Sequence, residues 1–253
     1  MAAPADTVPA LLAAVVAADP SRPLVTWVDL DSGTRAELSR ATVANWVAKT
    51  GGLLQDDLEV SAGDRVALAL PVHWQAVIWT LGCWVVGAVV QPLEAARAPD
   101  LEVYGDDRGP RTDARGVVVG LAPFGGPARP GSVVGGAVDA GALVLGHPDD
   151  LFAHDPPTAA SPALAGPDGV LDHAAVLATA AGLANRIGLA PEGRLLTATP
   201  QTTADGLLET TLVPLVAGGS VVLVAGPVAG AVGTEAVARL AAEEHVDLVR
   251  VTA

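Results

Sequence analysis

The stretch SAGDRVALALPVHWQAVIWTLGCWVVGAVVQPL, residues 61–93, decides the fold. Gly63-Asp64-Arg65 leads into an apolar strand over Val66–Leu70 and then Pro71. A helix follows to about Val86, then Gly87, then a second strand over Ala88–Pro92. The same order returns at Gly193-Arg194: strand Leu195–Thr199, Pro200, a helix to about Val216, Gly218-Gly219, strand Ser220–Val224. Arginine and proline lie six residues apart in both copies, and proline and glycine 16 or 18 apart. Strands this apolar are buried on both faces, and a buried strand reaches a parallel neighbour only through a crossover helix. Each glycine ends its helix where the chain must turn sharply.

Around these two strand–helix–strand units the remaining pattern falls into place. Residues 8–18 read as an amphipathic helix closed by Asp19-Pro20. Leu24–Leu30 and Thr34–Leu38 form a hairpin about Asp31-Ser32-Gly33, and Thr42–Leu54 has helical spacing. A last pair, helix Thr234–Glu244 and strand Val246–Val251, follows the second unit. Residues 94–159 are rich in Pro and Gly, with a strand only at Gly116–Leu121, and read as an irregular connector. The expected class is α/β, one domain over 1–253, with two related parallel or mixed sheets and crossover helices.

Composition limits what such a fold does. Acidic residues outnumber basic ones 28 to 14, a net charge of −14, which repels phosphate backbones and anionic lipid. Nucleic acid is therefore not an expected partner. The single cysteine, Cys83, excludes an internal disulfide and Cys-cluster zinc sites. Val66–Leu93 and Thr210–Gly233 are long and uncharged, but Pro71, Pro92 and Gly218-Gly219 interrupt them, so no membrane span is expected. The N-terminal apolar stretch has no basic lead, so no targeting segment is expected and the location is cytoplasmic.

The 61–93 run resembles the early core of the AMP-binding, adenylate-forming superfamily, which includes acyl-CoA synthetases. There a Gly-Asp-Arg-Val strand, a proline-led helix and an Ala-Gly-Ala strand recur in that order. TRAELS (34–39) resembles its first core motif, and DGVLDHAAVLATAAGLANRIGLAPEGRLLTATP followed by PLVAGGSVVLV resembles a later segment. AELSRATVANWVAKT and HWQAVIWTLGCW further resemble a small family of short AMP-binding-like proteins from actinobacteria. The resemblance implies the N-terminal part of the adenylate-forming fold, without the C-terminal lid domain.

It also says where ATP chemistry would sit. The superfamily's phosphate loop is rich in hydroxyls and ends in lysine and glycine. Here its place is taken by Ser161-Pro-Ala-Leu-Ala-Gly-Pro-Asp168-Gly169, with Ala163 and Leu164 at threonine positions and Asp168 at the lysine position. The acyl-pocket segment corresponds to Pro200–Gly206, with Thr202 and Thr203 replacing an aromatic residue and a histidine and Gly206 kept. The metal-binding glutamate, the ribose aspartate and the lid lysine would fall beyond Ala253. Lys49, the chain's one lysine, sits in an early helix that reads as peripheral.

Other constellations have a structural reading beside a chemical one. His147, Asp149, Asp150, His154 and Asp155 carry metal-ligand chemistry without zinc spacing, and a solvated acidic loop is the expectation. Asp205 and Glu209, four apart, are an acid–base pair or first-turn helix acids. His173 caps or orients the following helix. Trp74, Trp79 and Trp84 are packing residues, in the core or at an interface.

The reading is a non-catalytic AMP-binding-like protein with a binding, regulatory or assembly role. No catalytic residue, cofactor or metal is expected, and ATP or AMP would bind weakly at most. Ser161, Asp168 and Gly169 mark the degenerate phosphate site, and Thr202, Thr203 and Gly206 a small-molecule pocket. A protein partner, a small molecule or a second copy of the chain are the partner classes. The alternative is a divergent adenylate-forming or acyl-transfer enzyme that needs a partner chain.

Overall fold

A computed structural model describes residues 5–251, side chains of 231 and 232 excepted. The elements are α1 Val8–Ala18, β1 Pro23–Asp29, β2 Thr34–Ser39, α2 Arg40–Gly52, β3 Arg65–Ala69, α3 Trp74–Val85, β4 Val89–Pro92, β5 Leu101–Gly105, β6 Arg115–Val119 and β7 Val138–Asp139. They continue as α4 Ala140–Leu143, β8 Pro162–Gly166, β9 Gly169–Asp172, α5 His173–Ile187, β10 Arg194–Thr197, α6 Ala204–Leu207, α7 Val213–Val216, β11 Ser220–Ala225, α8 Gly230–Glu243 and β12 Leu248–Arg250.

Two sheets form, a five-stranded one ordered β12-β10-β11-β1-β2 and a seven-stranded one ordered β7-β6-β5-β3-β4-β8-β9. Only the pairs β1–β2 and β8–β9 are antiparallel, each an edge hairpin on an otherwise parallel sheet. The repeated units behave as their apolar runs dictate, with β3 parallel to β4 and β10 parallel to β11. A further strand then pairs with the other side of each unit's first strand, β5 with β3 and β12 with β10. An aspartate fixes that step identically in both sheets. Asp100 accepts the Arg65 N–H at 2.8 Å and Asp247 the Arg194 N–H at 2.7 Å.

Strand alternation divides the core. Leu195, Val221 and Leu223 join Val66, Leu68 and residues of α1, α2, α3 and α5 in the main cluster. Leu196, Val222 and Val224 face the other way, onto Val237 and Leu240 of α8. Trp74, Trp79 and Trp84 are buried in the main cluster, so the three-tryptophan helix offers no surface for assembly. The indole N–H groups of Trp74 and Trp84 donate to the carbonyls of Pro123 and Ala163, so burial costs neither its hydrogen bond.

Three expectations are corrected. The 94–159 connector supplies β5, β6 and β7 to the large sheet, and β5 is buried throughout. Its central Glu102 disguised it: the fully buried carboxylate accepts the Arg111 and Thr112 N–H groups, both at 2.7 Å, and so pins the next loop. The second unit's helix is not continuous. It runs as α6, a π turn over Leu208–Leu212 and α7, where Pro214 has no N–H to give an α-helical bond. Strand β10 stops at Thr197, and β12 is shorter than expected. Among the described residues no helix is long and apolar enough to cross a membrane.

Candidate functional site

A cleft of about 730 Å³ opens where strand β4 ends, between the β8–β9 hairpin, α5 and α6. Ligand crevices in parallel sheets lie off the carboxyl ends of the strands. Pro92 lines it from the end of β4, Glu94, Ala95 and Arg97 from the chain that follows, Thr203, Ala204, Asp205 and Leu208 from the second unit, and Thr179 from α5. The hairpin contributes Leu164 and the run Gly166–Leu171.

The hairpin is the segment expected, from the resemblance of residues 161–169, to stand in the place of a phosphate loop. Gly166 pairs with Gly169 across a two-residue turn, Pro167-Asp168, and Gly169 takes a φ of 132°, which a side chain would resist. Ala163 and Leu164, at the threonine positions, are buried in β8, and the Ala163 carbonyl holds the Trp84 indole. The loop is therefore a closed hairpin with an exposed carboxylate at its tip. Ser161 does not reach the cleft: its hydroxyl accepts the Thr158 N–H at 2.9 Å, and its carbonyl accepts the His173 N–H.

The pocket segment is only partly gathered here. Thr203 lines the cleft and caps α6, accepting the Gly206 N–H at 3.0 Å. Thr202 donates its hydroxyl to Glu94 at 3.1 Å, tying the start of α6 to the chain after β4. Gly206 is buried behind the wall, and a β-carbon there would lie 1.9 Å from the Pro200 carbonyl oxygen. The sequence reading missed Glu94, Arg97 and Thr179. Their signal was position alone, since Glu94 and Arg97 follow directly on a buried parallel strand.

Asp205 and Glu209 are not a pair. Asp205 is exposed at the cleft, whereas Glu209 is buried and accepts the hydroxyls of Thr197 and Thr199 at 2.7 and 2.8 Å. Arg250 closes that network at 3.0 Å. His173 does not cap its helix, because Asp172 does so by accepting the Ala175 N–H. The buried His173 ring accepts the Val8 N–H at 3.3 Å and anchors α1, and burial holds its pKa below the usual histidine value.

A buried histidine outside the cleft joins the two units. His73 lies between Trp27 and Trp74, ring centroids 4.4 and 5.5 Å away, and burial pushes its pKa down to about 4. The His73 backbone N–H donates to the Gln201 side-chain oxygen, and the Gln201 amide donates to Thr210. The His147 loop is held against α2 and the turn after it: His147 faces Asp57 at 3.1 Å, His154 faces Asp56, and Lys49 pairs with Asp149 at 3.0 Å. Among the described residues no group of three or more His, Cys, Asp or Glu is arranged to hold a metal ion.

Fold and cleft together define a class, proteins built on the N-terminal part of the acyl-CoA synthetase fold. An acyl-CoA synthetase from Brucella canis matches with a TM-score of 0.74 at 20% identity, over 91% of this chain and 44% of its own. A coronafacic acid ligase from Pectobacterium brasiliense matches with a TM-score of 0.73 at 14% identity, over 97% and 50%. The chain thus spans about half the length of these solved enzymes. Residues 12–103 match the AMP-binding enzyme family. The chain belongs to the TIGR03089 family: it is 34% identical over 236 residues to a TIGR03089 family protein of Mycobacterium tuberculosis, covering 90% of this chain and 93% of that one.

Proposed function

We propose that the protein is a non-catalytic relative of the adenylate-forming enzymes that binds a small molecule in the cleft and serves a binding or regulatory role. The observation that carries this is the β8–β9 turn. Phosphate binding needs N–H and O–H donors and a cation converging on one point. At the corresponding position stand a tight Pro167-Asp168 turn, the buried side chains of Ala163 and Leu164, and a carboxylate. A carboxylate about 4 Å from a phosphate oxygen costs roughly 1 kcal/mol in water and more near a surface. The cleft's size and its mixed apolar and polar lining fit a small molecule.

The test is ATP–pyrophosphate exchange with a panel of carboxylic acids, beside thermal shift with Mg-ATP and AMP. Expected are exchange at background and no nucleotide-dependent rise in melting temperature, since a ligand that binds only the folded state must raise it. Exchange above background that is lost on mutating the 161–169 hairpin would overturn the proposal.

A further inference from the structure

We infer that the cleft takes an organic cation, an amine carried on a short apolar body. The inference rests on the reading of the cleft as a small-molecule site and adds the chemical class of the ligand. Three carboxylates line the cleft, Glu94, Asp168 and Asp205, against one guanidinium, Arg97. Among the described residues none of the four has an ion-pair partner within 4.0 Å, so two negative charges remain uncompensated at the mouth. The chain's net charge of −14 adds a long-range field of the same sign.

The apolar half of the ligand is read from separate residues. Val170 and Leu171, neighbours on the hairpin, line the cleft and are 52% and 37% exposed. Leu164 and Leu208, both buried, add apolar surface to the same lining. A ligand that covers Val170 and Leu171 removes apolar surface from water, while its ammonium stays among carboxylates at the rim. A carboxylate ligand there would meet three like charges in the lining, with Arg97 alone to offset them. Asp168 and Asp205 come from different segments, the hairpin tip and α6, so the charge belongs to the cleft as a whole.

Three probes of equal chain length, octylamine, 1-octanol and octanoate, test this by calorimetry at about 20 mM and 200 mM salt. Octylamine is expected to bind about tenfold more tightly than octanoate at low salt, with 1-octanol between them, and the gap should narrow at high salt. Asp168→Asn with Asp205→Asn should cost octylamine several-fold and leave 1-octanol unchanged. Val170→Ser with Leu171→Ser should weaken all three probes alike. If octanoate equals or exceeds octylamine while 1-octanol still binds at Val170 and Leu171, the charge assignment is wrong and the cleft remains a binding site. Binding of octylamine that ignores both double variants, or no binding by any probe to millimolar concentration, also overturns the inference. Tight Mg-ATP binding instead overturns the non-nucleotide reading on which it rests.

Discussion

The units β3–α3–β4 and β10–α6–α7–β11 share one plan and are filled in opposite ways. Each starts with a strand bonded along both sides, crosses to a parallel neighbour, and finds its third strand where an aspartate meets the opening arginine. In the first unit the crossover is one unbroken helix sealed by Trp74, Trp79 and Trp84. In the second it is interrupted by a π turn and filled with polar groups, Glu209, Thr210 and Thr211, all buried. The wider turn takes up part of the two-residue excess in the second crossover. The same topology can thus be held by shape or by a polar network. The unit with the network also forms a wall of the cleft, which requires Thr203, Asp205 and Leu208 at its surface-facing end.

Four measurements bear on that contrast. Trp84→Ala should have the largest effect, about 3–5 kcal/mol in urea unfolding, because it empties a fully buried site and strips the Ala163 carbonyl of its donor. A loss under about 1 kcal/mol would mean the first unit is not held by its indoles.

The next is acid sensitivity at the junction of the units. His73 has a folded pKa of about 4 against 6.5 in the unfolded chain, so the unfolded state binds the proton more readily. The neutral ring's contribution is complete above pH 6.5 and drains away as pH falls toward 4, about 3 kcal/mol in all. His73→Phe should flatten the pH dependence of the urea midpoint in that window, and an unchanged slope would assign it to other groups. His173, also held low by burial, acts in the same direction.

In the second unit, Glu209→Gln keeps the shape and removes the charge that Arg250 and two threonine hydroxyls satisfy. Arg250 is 39% exposed, which screens the pair, so the expected loss is about 1–2 kcal/mol. A cost matching Trp84→Ala would erase the contrast between shape and network. The smallest effect is local to the hairpin. Asp168→Lys should raise Mg-ATP affinity about tenfold at low salt without producing pyrophosphate exchange. An unchanged affinity would mean that the closed turn, and not its charge, excludes phosphate.

How far the sequence could be read follows the same division. The first unit was legible almost residue by residue, because continuous apolar runs, Pro71 and Gly87 speak locally. The second was legible at its strands and misread in its middle, where a helix and a π turn differ by one hydrogen-bond step. Strand β5 was lost because Glu102 reads as a surface residue until the N–H groups of Arg111 and Thr112 are seen to satisfy it. At the cleft, Asp168, Gly169 and Thr203 were found through resemblance and lie together. Ser161, Thr202 and Gly206 came from the same motifs and point elsewhere. Motif order fixes which segments meet, but not which side chains of a segment face the space between them.

The position of β9 at the rim of the large sheet has a consequence for motion. A strand bonded along one side only, with Gly169, Val170 and Leu171 exposed, parts from its neighbour at far lower cost than β3, which is bonded along both. Its amides will therefore trade hydrogen for deuterium through local fraying, long before the central strands open. A molecule seated against Val170 and Leu171 must slow that exchange, so the wall of the cleft carries its own clock for occupancy.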